Sequence, residues 1–184
     1  MDLEEIRRGI NQVDEQMKEL FLERMQYSAR VVEAKKQTKG TVFVPEREQE
    51  ILRLRKEGVE EELVRECRAF FKQLMGISRT YQYSKLSEGD ERLAGLPDEE
   101  GKVTLEFRCG RKDGELSSVL NAVVLAGLIV EEMTVSECSA EYAQEEWLSC
   151  RLRLAGNFSG MLAKAAVLQI LEEMKEAVML SAEM

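Results

Sequence analysis

The feature that most constrains this chain is a long amphipathic segment at its start. Apolar residues recur at steps of three and four from about Leu3 to Gln37. They are Ile6, Ile10, Val13, Met17, Leu20, Phe21, Val31 and Ala34. This spacing predicts one continuous helix, which would span roughly 50 Å at 1.5 Å per residue. A small single-core domain cannot cover a helix of that length, so we expect it to pack against partner helices.

Two further helices are predicted after it. Pro45 suits the first turn of a short helix, with Glu46 and Glu48 near its positive end, and this helix stops before Gly58. The next helix carries a second apolar face. Its residues are Val59, Leu63, Val64, Cys67, Phe70, Phe71, Leu74, Met75 and Tyr81. The first half is therefore predicted to consist of a long, a short and a long helix.

The pattern changes in the second half. Residues 87–101 contain three Gly, one Pro and six acidic residues without periodicity, which predicts a linker. Val103, Leu105 and Phe107 then alternate with polar residues, as in a half-buried strand. Further strands are predicted at 129–138, 148–154 and 178–180, and helices at 114–127 and 159–176.

This βαββαβ order predicts a ferredoxin-like α+β domain, an antiparallel sheet with both helices on one face. The chain is thus predicted to be multidomain, α and α+β, with a helical domain at 1–86, a linker at 87–101 and a second domain at 102–184. Residues 1–86 carry a net charge of +1 and residues 87–184, the linker and the second domain together, a net charge of −10, and this contrast agrees with a division into two domains.

The composition excludes several classes of function. Because the 184 residues include no His, Ser-His and Cys-His nucleophilic catalysis are excluded. The four cysteines lack C-x-x-C spacing, so buried free thiols are expected rather than a metal site. The acidic charge argues against nucleic acid. No apolar run reaches the roughly 20 residues of a membrane span, and the acidic start is unlike a secretory signal, so a cytoplasmic protein is expected.

Several polar residues of the helical half are arranged to converge. Arg24 and Lys35 are 11 residues apart, so they point the same way roughly 16 Å from each other. Ser78 and Gln82 share one face of the third helix, and Glu48 lies early in the short helix. If the helices fold back on one another, these groups can form one polar pocket.

Arg7 differs from that set. It lies 17 residues before Arg24, roughly 26 Å along a straight helix and about 100° around it. It therefore cannot readily share a site with Arg24 of the same chain, although it could do so in a dimer.

The ordered set of motifs over about residues 3–86 resembles the all-helical class of chorismate mutases. The motifs are Ile6-Arg7-Arg8 followed by Asp14, Glu23-Arg24, Ala34-Lys35, Pro45-Glu46-Arg47-Glu48 and Ser78-x-x-x-Gln82. The resemblance implies an intertwined dimer of three-helix subunits. It also implies the Claisen rearrangement of chorismate to prephenate in aromatic amino acid biosynthesis, which needs no nucleophile, metal or cofactor.

The resemblance also implies a role for each polar residue of the set. Arg24, together with Arg7 of the partner subunit, would bind the two substrate carboxylates, with assistance from Ser78. Lys35 and Gln82 would hydrogen-bond the ether oxygen, which gains negative charge in the transition state.

Glu48 would hold the ring hydroxyl of the substrate. One neighbouring position departs from the pattern, because the family usually has Asp where this chain has Val44. If that residue contributes mainly its backbone, activity survives. If its carboxylate matters, the hydroxyl end of the pocket is weakened.

The second half, over about residues 102–182, resembles an ACT domain through its element order and the stretch from Lys112 to Leu120. ACT modules commonly bind amino acids between subunits, which would make Gly114, Glu115 and Leu116 regulatory residues for Phe or Tyr. Glu115 replaces a usual small residue, however, and residues 137–140 lack the Arg-Pro or Arg-Thr of phenylalanine-sensing relatives. A structural or dimerisation module without a ligand stays an alternative.

Two other functions also stay open. An isochorismate pyruvate-lyase on the same helical scaffold would likewise need a basic pocket without His. A non-catalytic binding protein that kept the helical fold is the other alternative, and Val44 is its only direct support.

Overall fold

A computed structural model describes residues 2–38, 40–111, 114–138 and 147–183. The chain separates into two compact units, Met1–Gly40 and Thr41–Met184. The first unit contains one helix, and the second contains the other described elements. The predicted domain boundaries at residues 86 and 102 stay a prediction.

The first unit is the long helix that the apolar spacing predicts. Helix α1 runs from Leu3 to Thr38, 36 residues. Its start is capped reciprocally: the Asp2 carboxylate accepts from the Glu5 amide at 2.8 Å, and the Glu5 carboxylate accepts from the Asp2 amide at 2.9 Å. Such a pair satisfies donors that lack partners within the helix.

The first half of α1 presents its apolar residues to the surface. Six of them are between 43% and 64% exposed, namely Leu3, Ile6, Ile10, Val13, Met17 and Leu20. Scattered apolar residues on a surface are ordinary, but a continuous stripe of them along a helix marks an interaction surface.

The second unit begins with the other two predicted helices. Helix α2 covers Pro45–Arg55, and helix α3 covers Val64–Leu86 after a short 3₁₀ turn. Val44 is the residue that caps α2, and its backbone oxygen accepts from the amides of Arg47 and Glu48 at 3.1 and 3.2 Å. The predicted sequence of a long, a short and a long helix is confirmed.

A four-stranded antiparallel sheet completes the unit. Its strands are β1 (Glu100–Gly110), β2 (Ile129–Glu137), β3 (Trp147–Asn157) and β4 (Lys175–Glu183). Two helices connect them, α4 (Glu115–Leu125) and α5 (Met161–Glu173). The order across the sheet is β2-β3-β1-β4 with every pairing antiparallel. The predicted multidomain α and α+β fold is confirmed, and this half is compatible with a ferredoxin-like domain.

One face of the sheet carries the core. Inward residues of β1 and β3, such as Phe107 and Leu152, are at most 1% exposed and pack with Val123 of α4 and Ile170 of α5. Both helices therefore cover the same face. The opposite face is charged, and its pairs include Arg151 with Glu106 at 2.8 Å.

Two sequence expectations need correction. The last strand is nine residues long rather than confined to 178–180, and α5 ends at Glu173 rather than near residue 176. The reason is tertiary: pairing with β1 from Lys102 to Arg108 supplies backbone partners along the whole of β4, which local periodicity does not reveal. The term all-helical, which belongs to the class that residues 3–86 resemble, does not describe the chain as a whole, because its second half contains a four-stranded sheet.

The segment between α3 and β1 also has structure of its own. Asp90 caps a 3₁₀ turn at Glu91–Leu93 by accepting from the Arg92 amide at 3.0 Å. Leu93 and Leu96 are buried in the core of the second unit. In addition, α3 packs against α5 and α4. The helical segment and the sheet are therefore joined by shared packing within this unit.

Candidate functional site

The six residues predicted to be catalytic are divided between the two units. Arg7, Arg24 and Lys35 lie on α1 in the first unit. The remaining three, Glu48 on α2 and Ser78 and Gln82 on α3, lie in the second. Within the second unit α2 packs beside α3, and this packing brings Glu48 into contact with the turn of α3 that begins at Ser78.

The face of α3 around Ser78 and Gln82 is polar and buried. Ser78 is 3% exposed and Gln82 is 8% exposed. The Ser78 hydroxyl donates to the Leu74 backbone oxygen at 3.0 Å. Buried polar side chains normally have hydrogen-bond partners. Two of them on one face of α3 therefore distinguish this face from an ordinary apolar core.

The contact of Glu48 is with Arg79, a residue that sequence reasoning missed. One terminal nitrogen of the Arg79 guanidinium donates to Glu48 Oε1, and Arg79 Nε donates to Glu173 Oε1 at 2.7 Å. The guanidinium also lies 5.1 Å from the centre of the Phe43 ring. The Glu173 side chain, at the end of α5, is only 2% exposed. Arg79 therefore joins α2 to α5 through two carboxylates.

Burial and charge oppose each other in this cluster. Burial by itself lowers the pKa of Arg79, yet the carboxylates of Glu173 and Glu48 raise that pKa above its ordinary value. Burial raises the pKa of the Glu173 carboxyl group, although Arg79 acts in the opposite direction. The guanidinium is therefore permanently charged, whereas ionisation of Glu173 is costly.

A second hydrogen-bonded chain supports the same cluster. Thr80 Oγ1 lies 2.7 Å from Gln169 Oε1 and donates to it. The amide nitrogen of Gln169 in turn donates to Glu173 Oε2 at 3.3 Å. Both carboxylate oxygens of Glu173 thus have donors, one from α3 and one from α5 itself.

Residues predicted to be regulatory lie next to this cluster. A small cleft of about 60 Å³ is lined by Glu48, Arg79, Glu173, Lys72 and Glu115, among others. The carboxylate of Glu115 accepts from the Gly110 amide at 2.7 Å, which ties the start of α4 to the end of β1. A residue assigned to regulation and one assigned to catalysis therefore line one cleft.

The other two predicted regulatory residues have structural roles. Gly114 adopts a left-handed backbone conformation, with φ of 71°, at the N-cap of α4, and this conformation favours glycine. Leu116 is partly buried against the core. Lys112, Asp113, Ser139 and Ala140, which belong to the stretches compared with ACT domains, lie outside the described residues.

The pairing of Arg79 with Glu173 could not be predicted from the sequence. An Arg between Ser78 and Gln82 is a weak indication of a buried charge, because α3 carries other charged residues, such as Arg68 and Lys72, from which the sequence pattern does not distinguish it. Its partner Glu173 lies 94 positions further along the chain, and a single sequence carries no information that pairs the two. Among the described residues, no group of three or more His, Cys, Asp or Glu side chains could hold a metal ion.

Comparison with known families identifies the helical segment. Residues 6–83 match the family model described as chorismate mutase type II. Members of this family are isomerases. The prediction that this chain is an enzyme, an isomerase of the chorismate mutase type, is confirmed. The match covers about two fifths of the chain and includes all six residues predicted to be catalytic.

Other comparisons add no relative. No curated protein and no solved structure shows a significant match to the chain. In the described parts of the chain, no helix is both long and apolar enough to cross a membrane.

Proposed function

We propose that this chain converts chorismate to prephenate by a Claisen rearrangement. The observation that carries the proposal is the family match over residues 6–83, which contains the full predicted set from Arg7 to Gln82. The substrate rearranges within itself: one carbon–oxygen bond breaks while one carbon–carbon bond forms. Such a reaction needs no nucleophile and no proton transfer, which suits a chain without His.

The catalytic task is to hold a dianion in a reactive conformation and to stabilise charge on the breaking ether. Arg24 and the partner subunit's Arg7 bind the two carboxylates, because a planar guanidinium matches carboxylate geometry. Ser78 assists at a carboxylate. Lys35 and Gln82 donate to the ether oxygen. The burial of Ser78 and Gln82 supports this assignment, since a water-poor site strengthens such hydrogen bonds.

Glu48 accepts a hydrogen bond from the ring hydroxyl of the substrate. The capping of α2 supports this role despite the replacement of Asp by Val44. The backbone oxygen of Val44 accepts from the Glu48 amide at 3.2 Å, so the backbone at this position fixes the start of α2 without a side-chain cap. This favours the interpretation in which the position contributes through its backbone.

The working unit is a homodimer. The exposed apolar stripe of α1 supports a second copy of the chain as its cover, because a 36-residue helix exceeds what one small core can bury. A dimer also allows the partner subunit's Arg7 to reach a site that Arg24 of the first subunit lines.

Phe or Tyr regulates the enzyme through the sheet-containing half. The support is the cleft that Glu115 shares with Glu48, because an effector near Glu115 could alter the surroundings of a catalytic carboxylate. Gly114 and Leu116 complete the regulatory set. A cytoplasmic location stays a prediction.

The experiment is a substrate comparison with purified protein. Chorismate and isochorismate are supplied separately, and prephenate and pyruvate are measured with and without millimolar Phe or Tyr. We expect prephenate from chorismate, at a rate that one of the two amino acids changes. Pyruvate from isochorismate as the dominant product would instead establish the lyase. A rate indifferent to both amino acids would contradict the regulatory part of the proposal alone.

A further inference from the structure

We propose that Arg79 is a positioning residue for catalysis, and that Glu173 of α5 anchors it, so that the sheet-containing half forms part of the scaffold of the catalytic site. The inference rests on the proposed function, because it assumes that Glu48 binds substrate. Neither Arg79 nor Glu173 is assigned a role by the predicted catalytic set, and Glu173 lies far outside the matched segment.

The first step of the argument is the geometry of Arg79. Its side chain is 8% exposed, and its two carboxylate partners come from different helices, α2 and α5. The Phe43 ring lies against the guanidinium and limits where it can move. A planar group held at two edges and on one face has little freedom, so it fixes the position of any carboxylate bound to it.

The second step concerns charge. Arg79 lies between two carboxylates, so its charge is already balanced and is poorly suited to bind a substrate carboxylate. Its effect is on Glu48, whose carboxylate would otherwise face a dianionic substrate with its full negative charge. Pairing with Arg79 reduces that repulsion and leaves Glu48 able to accept a hydrogen bond from a hydroxyl group.

The third step concerns Glu173. It is the last residue of α5, and both of its oxygens are hydrogen-bonded, one to Arg79 and one to Gln169. Because Gln169 also bonds to Thr80 of α3, α5 and α3 are held together on both sides of the cluster. A shift of α5 would therefore displace Arg79, and with it Glu48.

The test compares two neighbouring carboxylates of α5. Glu173→Gln keeps the size of the side chain but removes the charge that anchors Arg79. Glu172→Gln is the matched control, since Glu172 pairs at 2.8 Å with Arg92, whose side chain is 48% exposed. We expect Glu173→Gln to raise KM for chorismate roughly tenfold with a smaller change in kcat, the size of effect that a displaced binding group produces. Glu172→Gln should stay within about twofold of wild type.

A double-mutant cycle distinguishes positioning from a general structural role. If Glu173 acts through Glu48, Glu173→Gln should cause little further loss of kcat/KM in a Glu48→Gln background. Equal losses in both backgrounds would overturn the inference. Arg79→Lys is a second variant: it keeps the charge but lacks the planar guanidinium that holds Glu48 and Glu173 in a fixed geometry, so it should reproduce the rise in KM. An unchanged KM in this variant would also overturn the inference.

The activity of the wild-type protein distinguishes failure of the proposed function from failure of this inference. A wild-type protein that produces no prephenate contradicts the function itself. The same Glu48 and Glu173 cycle, measured as the free energy of unfolding in urea, then tests the link without reference to activity. Non-additive changes would support a connection through Arg79, and additive changes would contradict it.

Discussion

At the scale of single residues, the molecule concentrates buried charge in one place. Arg79 and the side chain of Glu173 are almost fully buried, and Glu48 is attached to them. Removing one member of such a cluster leaves another charge without its partner in a medium that solvates it poorly. The cluster is therefore the site where single substitutions should have effects that depend on pH.

Glu173 should make stability depend on pH in a defined direction. Its pKa is raised in the folded protein, first because of burial. Its contribution to stability is therefore fully present below the unfolded pKa of about 4.3 and is lost as pH rises through the higher folded pKa. The free energy of unfolding of wild type minus that of Glu173→Gln should fall as pH increases above this value. A difference that rises or stays constant would contradict the account.

At the scale of secondary-structure elements, the residues that connect α2 to α5 lie at the ends of these helices. Helix α2 carries Glu48 in its first turn, yet Val44 gives it no side-chain cap. Helix α5 ends at Glu173 because the chain turns at once into β4. The two ends meet at Arg79, so the positions of α2 and α5 are coupled by residues at their termini.

Capping α2 should strengthen it. Val44→Asp supplies a side-chain oxygen for the Glu46 amide, since the amides of Arg47 and Glu48 already donate to the Val44 backbone oxygen, and we expect about 1 kcal/mol of added stability, read as a higher urea midpoint with unchanged m. Val44→Asn supplies the same oxygen without the charge and should give most of this gain. If neither variant is more stable than wild type, the missing side-chain cap of α2 does not lower the stability of the protein, and the prediction is wrong.

Local patterns predicted which elements exist, but they did not predict which of them pack together. The three helices and the βαββαβ order follow from apolar spacing, because each element buries one face. The extent of β4 and the pairing of Arg79 with Glu173 depend on contacts between distant parts of the chain, which no local pattern records. The buried polar face around Ser78 and Gln82 was predicted only as a pair of residues on one side of a helix.

At the scale of the whole molecule, the proposed function requires two copies of the chain. Arg7 and Arg24 lie on the same helix, 17 positions apart, which is roughly 26 Å. The exposed apolar stripe of α1 gives a second copy a surface to cover. The catalytic site is therefore expected to combine residues from two subunits.

Subunit mixing tests this expectation. Arg7→Ala and Arg24→Ala should each be nearly inactive alone. When the two variants are unfolded and refolded together, half of the dimers should be mixed, each with one intact site, and about one quarter of wild-type activity should return. Refolding either variant alone is the control. A mixture as inactive as its components would show that both arginines serve a site within one chain.

The central claim is tested most directly by the rate of prephenate formation in a matched pair of lysine variants. Lys35 and Lys36 are neighbours in the last turn of α1, and only Lys35 is assigned to the ether oxygen. We predict that Lys35→Ala lowers kcat by at least about a hundredfold, as loss of a transition-state donor does, whereas Lys36→Ala stays near the wild-type rate. Equal rates for the two variants, or no prephenate from the wild-type protein, would contradict the account.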